Sequence, residues 1–382
     1  EISECLVGSE MCIRDRLKMS ANRCKVFTLL QLKVLRQMRV LHLLKSNKYS
    51  GAENVVLTIM DACPDIEMIY ASTDGPIRKV VEDRGHRFYP LEETSVRMVK
   101  KAVGELQPDI IHAHDFTMAS TAAWAAGDIP VIAHLHNNPP WLKKVGVKSI
   151  VFALALPKIR QVISVSKAVE DEYIFRGLMK NKNTVIGNVV DAEDVRQKAR
   201  EKSDCKPVDL VYLGRMSLPK NPLEFCKIVC EVKRLFPNIT ARMIGDGELM
   251  PQVKEYICSH ELEDIIELVG FQSNPYPYLN AGKIMVMPSI WEGFGLAAVE
   301  GMCLGKPVVC SGVGGLENII DESCGAKCRT TDEYSRILLK LLKDNTTYEV
   351  ESKNAMRKSG RYTDMKKYAD DICRIYKAAI ER

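Results

Sequence analysis

Glu292 and Glu300 stand eight positions apart in the run Pro288-Ser289-Ile290-Trp291-Glu292-Gly293-Phe294-Gly295-Leu296-Ala297-Ala298-Val299-Glu300. The run reads as a strand end, a Gly-Phe-Gly turn and the first two turns of a helix. Such a helix start offers free backbone N–H groups and the positive end of a dipole, worth ~0.3–2 kcal/mol to a phosphate. The two carboxylates are too acidic to face that phosphate. They are suited to accept hydrogen bonds from hydroxyls, one set on a sugar and one on a ribose. Upstream, Tyr212-Leu213-Gly214-Arg215 is followed by Lys220 and Asn221. Two cations over one strand terminus suit a diphosphate, since arginine gives a planar fork and lysine a point charge. Gly245-Asp246-Gly247-Glu248 and Val269-Gly270-Phe271 are weaker signals of the same kind. Glycine at a strand end permits a tight turn and close approach of a ligand to backbone.

These features need strands to carry them. From Met38 onward, apolar runs at 40–44, 66–71, 109–114, 131–136 and 162–166 are rich in Val, Ile and Leu without alternation. Strands buried on both faces of a parallel sheet read this way. Amphipathic stretches such as 95–106 and 167–176 lie between them as helices. The pattern pauses at a charged segment, 191–207, and restarts with runs at 209–213, 240–244, 265–269, 284–287 and 308–310. Two doubly wound, Rossmann-like α/β halves joined near residue 200 are expected, with ligands outside the C-terminal strand ends. Residues 364–380 carry apolar residues at helical spacing and would close the chain as a helix.

At 382 residues, 46% hydrophobic and 27% charged, the chain suits two soluble domains. Its longest apolar approach, 150–157, falls far short of the ~18 residues that span a bilayer. The thirteen cysteines are scattered and read as free cytosolic thiols. Cys226/Cys230 and Cys324/Cys328 lack a further Cys or His to complete a zinc site. Residues 7–16, VGSEMCIRDR, resemble a translated sequencing adapter, and 17–37 read as upstream DNA ahead of a natural start at Met38. Residues 1–37 are therefore expected to be a non-native leader. They hold seven Lys/Arg and four Asp/Glu, so the net charge of +5 falls to +2 without them. That removes most of the case for a nucleic-acid partner.

The run from Glu292 to Glu300 resembles the E-x7-E signature of retaining GT-B glycosyltransferases of the "group 1", family-4-like type. Arg215 and Lys220 are similar to that family's diphosphate-binding pair, and Gly51-Ala52-Glu53 to its N-terminal glycine loop. Ile111-His112-Ala113-His114-Asp115 and residues 131–136 look like its fourth and fifth strands. The resemblance runs from Met38 to the C-terminus. It implies an acceptor domain over 38–195 and a nucleotide-sugar domain over 196–363, facing a central cleft. The helix 364–382 would pack back on the first domain.

By the same resemblance, His136, Glu292, Arg215 and Lys220 carry catalysis. Glu292 would touch donor-sugar hydroxyls, Glu300 the ribose, and the N–H groups of Phe294, Gly295 and Leu296 a phosphate. Gly51, Gly214, Gly245, Gly270 and Phe271 would line the donor. His112 and His114 read as core histidines. No Asp-x-Asp occurs, so neither metal nor other cofactor is expected. Two departures concern the acceptor and hinge regions: the first loop has one glycine, Gly51, where two are common, and Asn188-Val189 stands where Asn-Gly is usual.

The implied reaction moves a sugar, with UDP as the favoured carrier, to a saccharide or lipid-linked acceptor with retention at the anomeric carbon. Between Asp128 and Glu170 there is no acidic residue. The basic, partly apolar segment 141–160, with Trp141, Ile150, Val151, Phe152, Leu154 and Leu156, reads either as an ordinary domain helix with a solvated basic face or as a face that rests on an anionic membrane. The enzyme would then be cytoplasmic and peripheral on the inner face. A nicotinamide dehydrogenase would need G-x-G-x-x-G after the first strand, where the chain reads KSNKYSGAE. A GT-B epimerase or phosphorylase, or a non-catalytic nucleotide-sugar sensor, are the alternatives. A sensor would tolerate loss of His136, which is present.

Overall fold

The computed structural model describes residues 38–201 and 204–381; the expected leader, 1–37, lies outside them. Thirteen strands form two wholly parallel sheets among the described residues. The first contains β1 (Arg39–Leu43), β2 (Glu67–Thr73), β3 (Arg87–Leu91), β4 (Ile110–His114), β5 (Val131–Leu135), β6 (Ile159–Ser164) and β7 (Asn183–Val185), in the order β3-β2-β1-β4-β5-β6-β7. The second contains β8 (Val208–Leu213), β9 (Ala241–Ile244), β10 (Ile266–Gly270), β11 (Gly282–Met287), β12 (Val308–Cys310) and β13 (Gly325–Lys327), in the order β10-β9-β8-β11-β12-β13. Helices cross over between successive strands. The winding reverses between β1 and β4 and again between β8 and β11, and crevices open at such switch points. The architecture is the expected GT-B one, two Rossmann-like domains facing a cleft.

Central strands carry the apolar runs because both their faces are covered. Every residue of β4, β5, β9 and β12 is buried. The strands that no apolar run announced, β3, β7 and β13, are sheet edges, short or half-exposed, and need less apolar sequence.

Two helical regions depart from the sequence reading. The helix expected over 167–176 spans only Lys167–Asp171. Beyond it Tyr173 turns inward, donates to the Ser149 carbonyl at 2.7 Å and packs on Phe116 and Phe152, which draws the backbone off the helical path. The charged pause at 191–207 contains a helix, Ala192–Ala199. Asp191 caps it by accepting from the N–H groups of Glu193 and Asp194. Its buried pair Val195 and Ala199 faces the helices Tyr276–Asn280 and Leu296–Cys303 of the second domain. The last helix, Met365–Ile380, crosses back to the first domain and buries Tyr368, Ile372, Tyr376 and Ala379 among Val56, Met60 and Ile110. Each fully buried side chain of this size contributes ~1.5–3 kcal/mol. No described helix is long and apolar enough to cross a membrane.

Candidate active site

The C-terminal edge of the second sheet places its functional side chains in a row. Gly214 donates to the Ile244 carbonyl at 3.0 Å and Gly245 to the Gly270 carbonyl at 2.8 Å, so three glycines line up beyond β8, β9 and β10. Gly245 has a φ of 132°, and a Cβ on it would collide with the Gly214 carbonyl oxygen. Only glycine closes this edge. Phe271 projects from its far end, 62% exposed.

Beside Gly214 the two cations are positioned by a residue the sequence did not single out. The buried Tyr212 hydroxyl donates to the Arg215 carbonyl at 3.0 Å and reaches the Lys220 carbonyl at 3.4 Å. Arg215 itself is exposed. Lys220 ends a short 3-10 turn, and its ammonium forms an ion pair with the Glu292 carboxylate. The backbone of that loop is fastened to the same turn, since Ile290 donates to the Pro219 carbonyl at 2.8 Å.

Glu292 is buried. Its carbonyl accepts from the Gly315 N–H at 3.0 Å, and Gly314 packs so closely that a Cβ would overlap the same oxygen. Gly295, with φ 109°, caps the helix Leu296–Cys303 in the left-handed region. The first N–H groups of that helix have no intrahelical acceptor and face the edge as donors. One turn on, Glu300 accepts from the Tyr276 hydroxyl at 3.3 Å. Burial pushes its carboxyl up to about 7, against the opposing pull of Tyr276 and Lys220.

The first domain meets this edge directly. Ser166 donates to the Gly293 carbonyl at 2.6 Å, and a Cβ on Gly293 would collide with the His136 carbonyl oxygen. Gly51 begins the helix Gly51–Ala62 and lies against Leu296. Next to it come two further residues that the motifs did not assign. Tyr49 donates to Asn54 at 2.7 Å, and burial pushes its hydroxyl up to about 12, with the Glu300 charge adding to the shift. Glu53, hydrogen-bonded by Ser50, is raised by burial and partly restored by Arg215 across the cleft. All the expected site residues except the peripheral Phe271 therefore converge on one cleft. Tyr49, Glu53, Tyr212 and Tyr276 join them, and only Glu53 had a sequence signal, as the third residue of Gly51-Ala52-Glu53.

Behind His136 lies a layer of buried histidines. His42, His112, His114, His134 and His136 project from one face of β1, β4 and β5, with adjacent rings stacked or tilted 4.3–5.4 Å apart. Two trios, His42/His112/His114 and His114/His134/His136, bring one nitrogen each within 4.8 Å of the others, a spacing at which a metal ion is conceivable. His114 Nδ1 instead meets His136 Nε2 at 2.8 Å, His114 Nε2 meets His42 Nδ1 at 3.0 Å, and His112 Nδ1 meets the Tyr376 hydroxyl at 2.7 Å. Burial drives His42 and His136 down to about 3 and the other three well below the ordinary imidazole value. All five are neutral at ordinary pH. Asp115, just past β4, adopts φ 74° and caps its helix through Thr117 and Met118. A left-handed non-glycine residue costs ~1–3 kcal/mol and often marks a functional edge.

Residues 193–362 match the family model "Glycosyl transferases group 1", and residues 40–194 match "Glycosyltransferase Family 4". The glycogen synthase of Mycobacterium tuberculosis is 26% identical over 239 residues; the match spans 59% of this chain and 58% of that protein. An Escherichia coli UDP-Gal:alpha-D-GlcNAc-diphosphoundecaprenol alpha-1,3-galactosyltransferase is 24% identical, over 89% of this chain and 97% of its own. Among solved structures, Anabaena Alr3699/HepE in complex with UDP and glucose superposes with a TM-score of 0.77 at 20% identity, covering 89% of this chain and all of that one.

Proposed function

We propose, for a chain that belongs to the GT-B glycosyltransferases through both of its halves, that it transfers a sugar from a UDP-sugar to a saccharide or lipid-linked acceptor with retention of configuration. The observation that carries this reading is the convergence of Arg215, Lys220 and the helix start at Gly295–Leu296 on one strand edge, with Gly293, next to Glu292, abutting the His136 backbone from the first domain. In this reading the diphosphate sits over Arg215, Lys220 and the N–H groups of Phe294, Gly295 and Leu296. Glu300 receives the ribose hydroxyls, and Glu292 the donor-sugar hydroxyls. Gly214, Gly245 and Gly270 let the nucleotide approach the backbone.

The acceptor oxygen attacks the anomeric carbon on the face from which the diphosphate leaves. The bond to the phosphate oxygen breaks, and that oxygen takes the hydroxyl proton. His136, neutral through burial, orients the sugar. Two side-chain cations and a helix start supply the positive charge this departure needs, so the reaction is proposed to run without a metal.

A lipid-linked acceptor is supported by the segment 141–160. Here the structure revises the expected apolar face. Leu142, Phe152 and Leu156 are buried in the core, and Trp141 packs edge-on against Phe116. The exposed apolar residues are Val145, Val147, Ile150, Val151 and Leu154, flanked by Lys144 and Lys148. Lys158 stands 4.3 Å over the half-exposed Trp124 ring. A basic, apolar face of this kind suits an anionic membrane surface on the cytoplasmic side.

A thermal-shift screen over UDP-, GDP- and ADP-sugars tests the donor. UDP-sugars should raise the melting temperature without added metal, and R215A and K220A should each lose ~10²–10³ in transfer rate. Stabilisation by GDP- or ADP-sugars alone, or activity that EDTA abolishes and Mn or Mg restores, would overturn the corresponding part.

A further inference from the structure

His114 pairs through both of its nitrogens, with His136 on one side and His42 on the other. A neutral imidazole has one N–H and one lone pair. If His114 donates through Nδ1, then His136 Nε2 must accept and the His136 proton sits on Nδ1. His114 Nε2 must then accept from His42 Nδ1. If His114 donates through Nε2 instead, every assignment reverses. A mixed arrangement would set two lone pairs or two N–H groups against each other and lose a hydrogen bond, or would require a charged ring. Such a ring would lie among fully buried imidazoles, where an unpaired charge is costly.

We infer that His42, His114 and His136 are a single tautomeric unit, all three carrying the proton on Nδ1 or all three on Nε2, so that His42 and His114 set whether His136 Nδ1 donates or accepts. Converting one state to the other moves a proton along each hydrogen bond. It releases one proton at His136 Nδ1 and takes one up at His42 Nε2, with ligand hydroxyls or water as exchange partners. Net charge does not change. Both terminal nitrogens, His136 Nδ1 and His42 Nε2, are buried and have no hydrogen-bond partner. A sugar hydroxyl arriving at His136 could therefore be met as donor or as acceptor without burying a cation. That consequence rests on the proposed role of His136, whereas the coupling of the rings does not.

The geometry favours a hydrogen-bonded chain over a metal site. The planes of His42 and His114 differ by 20°, and those of His114 and His136 by 19°. The paired nitrogens stand 3.0 and 2.8 Å apart, hydrogen-bond distances, whereas two ligands ~2.0–2.1 Å from a tetrahedral ion would stand about 3.3 Å apart. His42 and His114 are thus positioning residues, acting through His136.

Long-range proton–nitrogen NMR of the whole protein with 15N-histidine reads each tautomer directly, and only seven histidines contribute. The three rings should share one tautomer from pH 6 to 8 and, if a bound UDP-sugar changes it, change together. In His114→Phe, which keeps a ring in place, the tautomers of His42 and His136 should no longer be tied. Opposite tautomers in wild-type His42 and His136, a charged His114, or metal-bound shifts with a stoichiometric metal in the purified protein would overturn the inference. A shared tautomer together with full transfer activity in His136→Ala would uphold the coupling and remove His136 from the proposed mechanism.

Discussion

Lys220 is engaged with the Glu292 carboxylate before any diphosphate arrives. On the proposed reading, a donor must share this lysine with the glutamate, which would tie sugar and phosphate recognition to one pair of charges. Glu300 sets a pH dependence. Its folded carboxyl titrates near 7, above the ordinary value of ~4.3 for an unfolded glutamate, so the folded chain favours the protonated form. The stability this gives is fully present below the unfolded value and is lost as pH rises through about 7. Melting curves should show the wild type losing ground to Glu300→Gln between about pH 5 and 7.5, and a constant gap would contradict the burial argument. Arg215, Lys220, Glu292 and Glu300 were legible in the sequence because each sets a charge at a glycine-marked strand end or on the helix that opens from one. Tyr212 and Tyr276 were not. Their contribution is a hydroxyl aimed at a carbonyl or carboxylate, and the fold alone creates that aim.

At the scale of elements, the parallel strands with both faces covered announced themselves, and of the four edge strands only β10 did. The helix Val147–Ala155 shows why composition alone misleads. Its segment was read as one apolar face, yet Phe152 and Leu156 belong to the core while Val147 and Leu154 are 79% and 62% exposed. Periodicity separates the two sets only when the neighbouring helix Asp115–Ala125 is known to lie against one side. The outward set makes the membrane test sharper. Vesicles containing anionic lipid should pellet the protein, and salt should release it. Changing Lys143, Lys144 and Lys148 to glutamine should weaken binding at ~1 kcal/mol per charge. Lys143 already pairs with Glu172 at 3.3 Å, so its loss should matter least. Equal pelleting of the triple variant would leave only apolar adhesion, and Val147→Ser with Leu154→Ser would then test that remainder.

Across the whole molecule, the two domains touch where Gly293 abuts His136 and Ser166. A methyl group at that point would wedge the cleft open while leaving the second sheet untouched. Gly293→Ala should bind UDP about as well as the wild type and transfer sugar ~10²-fold more slowly, since small misplacements of reacting groups cost on that scale. Lost UDP affinity in calorimetry would place the damage in the second domain instead. The sequence showed two halves and a closing helix. It did not show that Ala192–Ala199 would pack on the second half, because one apolar pair among charges is a weak signal.

The return of Met365–Ile380 to the first domain also fixes an order of events during synthesis. The ribosome releases β1 to β7 first, at ~5–20 residues per second. The faces of Val56, Met60 and Ile110 nevertheless wait for Tyr368, Ile372 and Tyr376, made after both sheets. The second sheet and the helices packed on it lie between Ala192 and Ser359 and need no such wait. The half that is made first is therefore completed second. A nascent chain halted before residue 365 would hold a finished second domain beside a first domain whose His112 still lacks the Tyr376 hydroxyl.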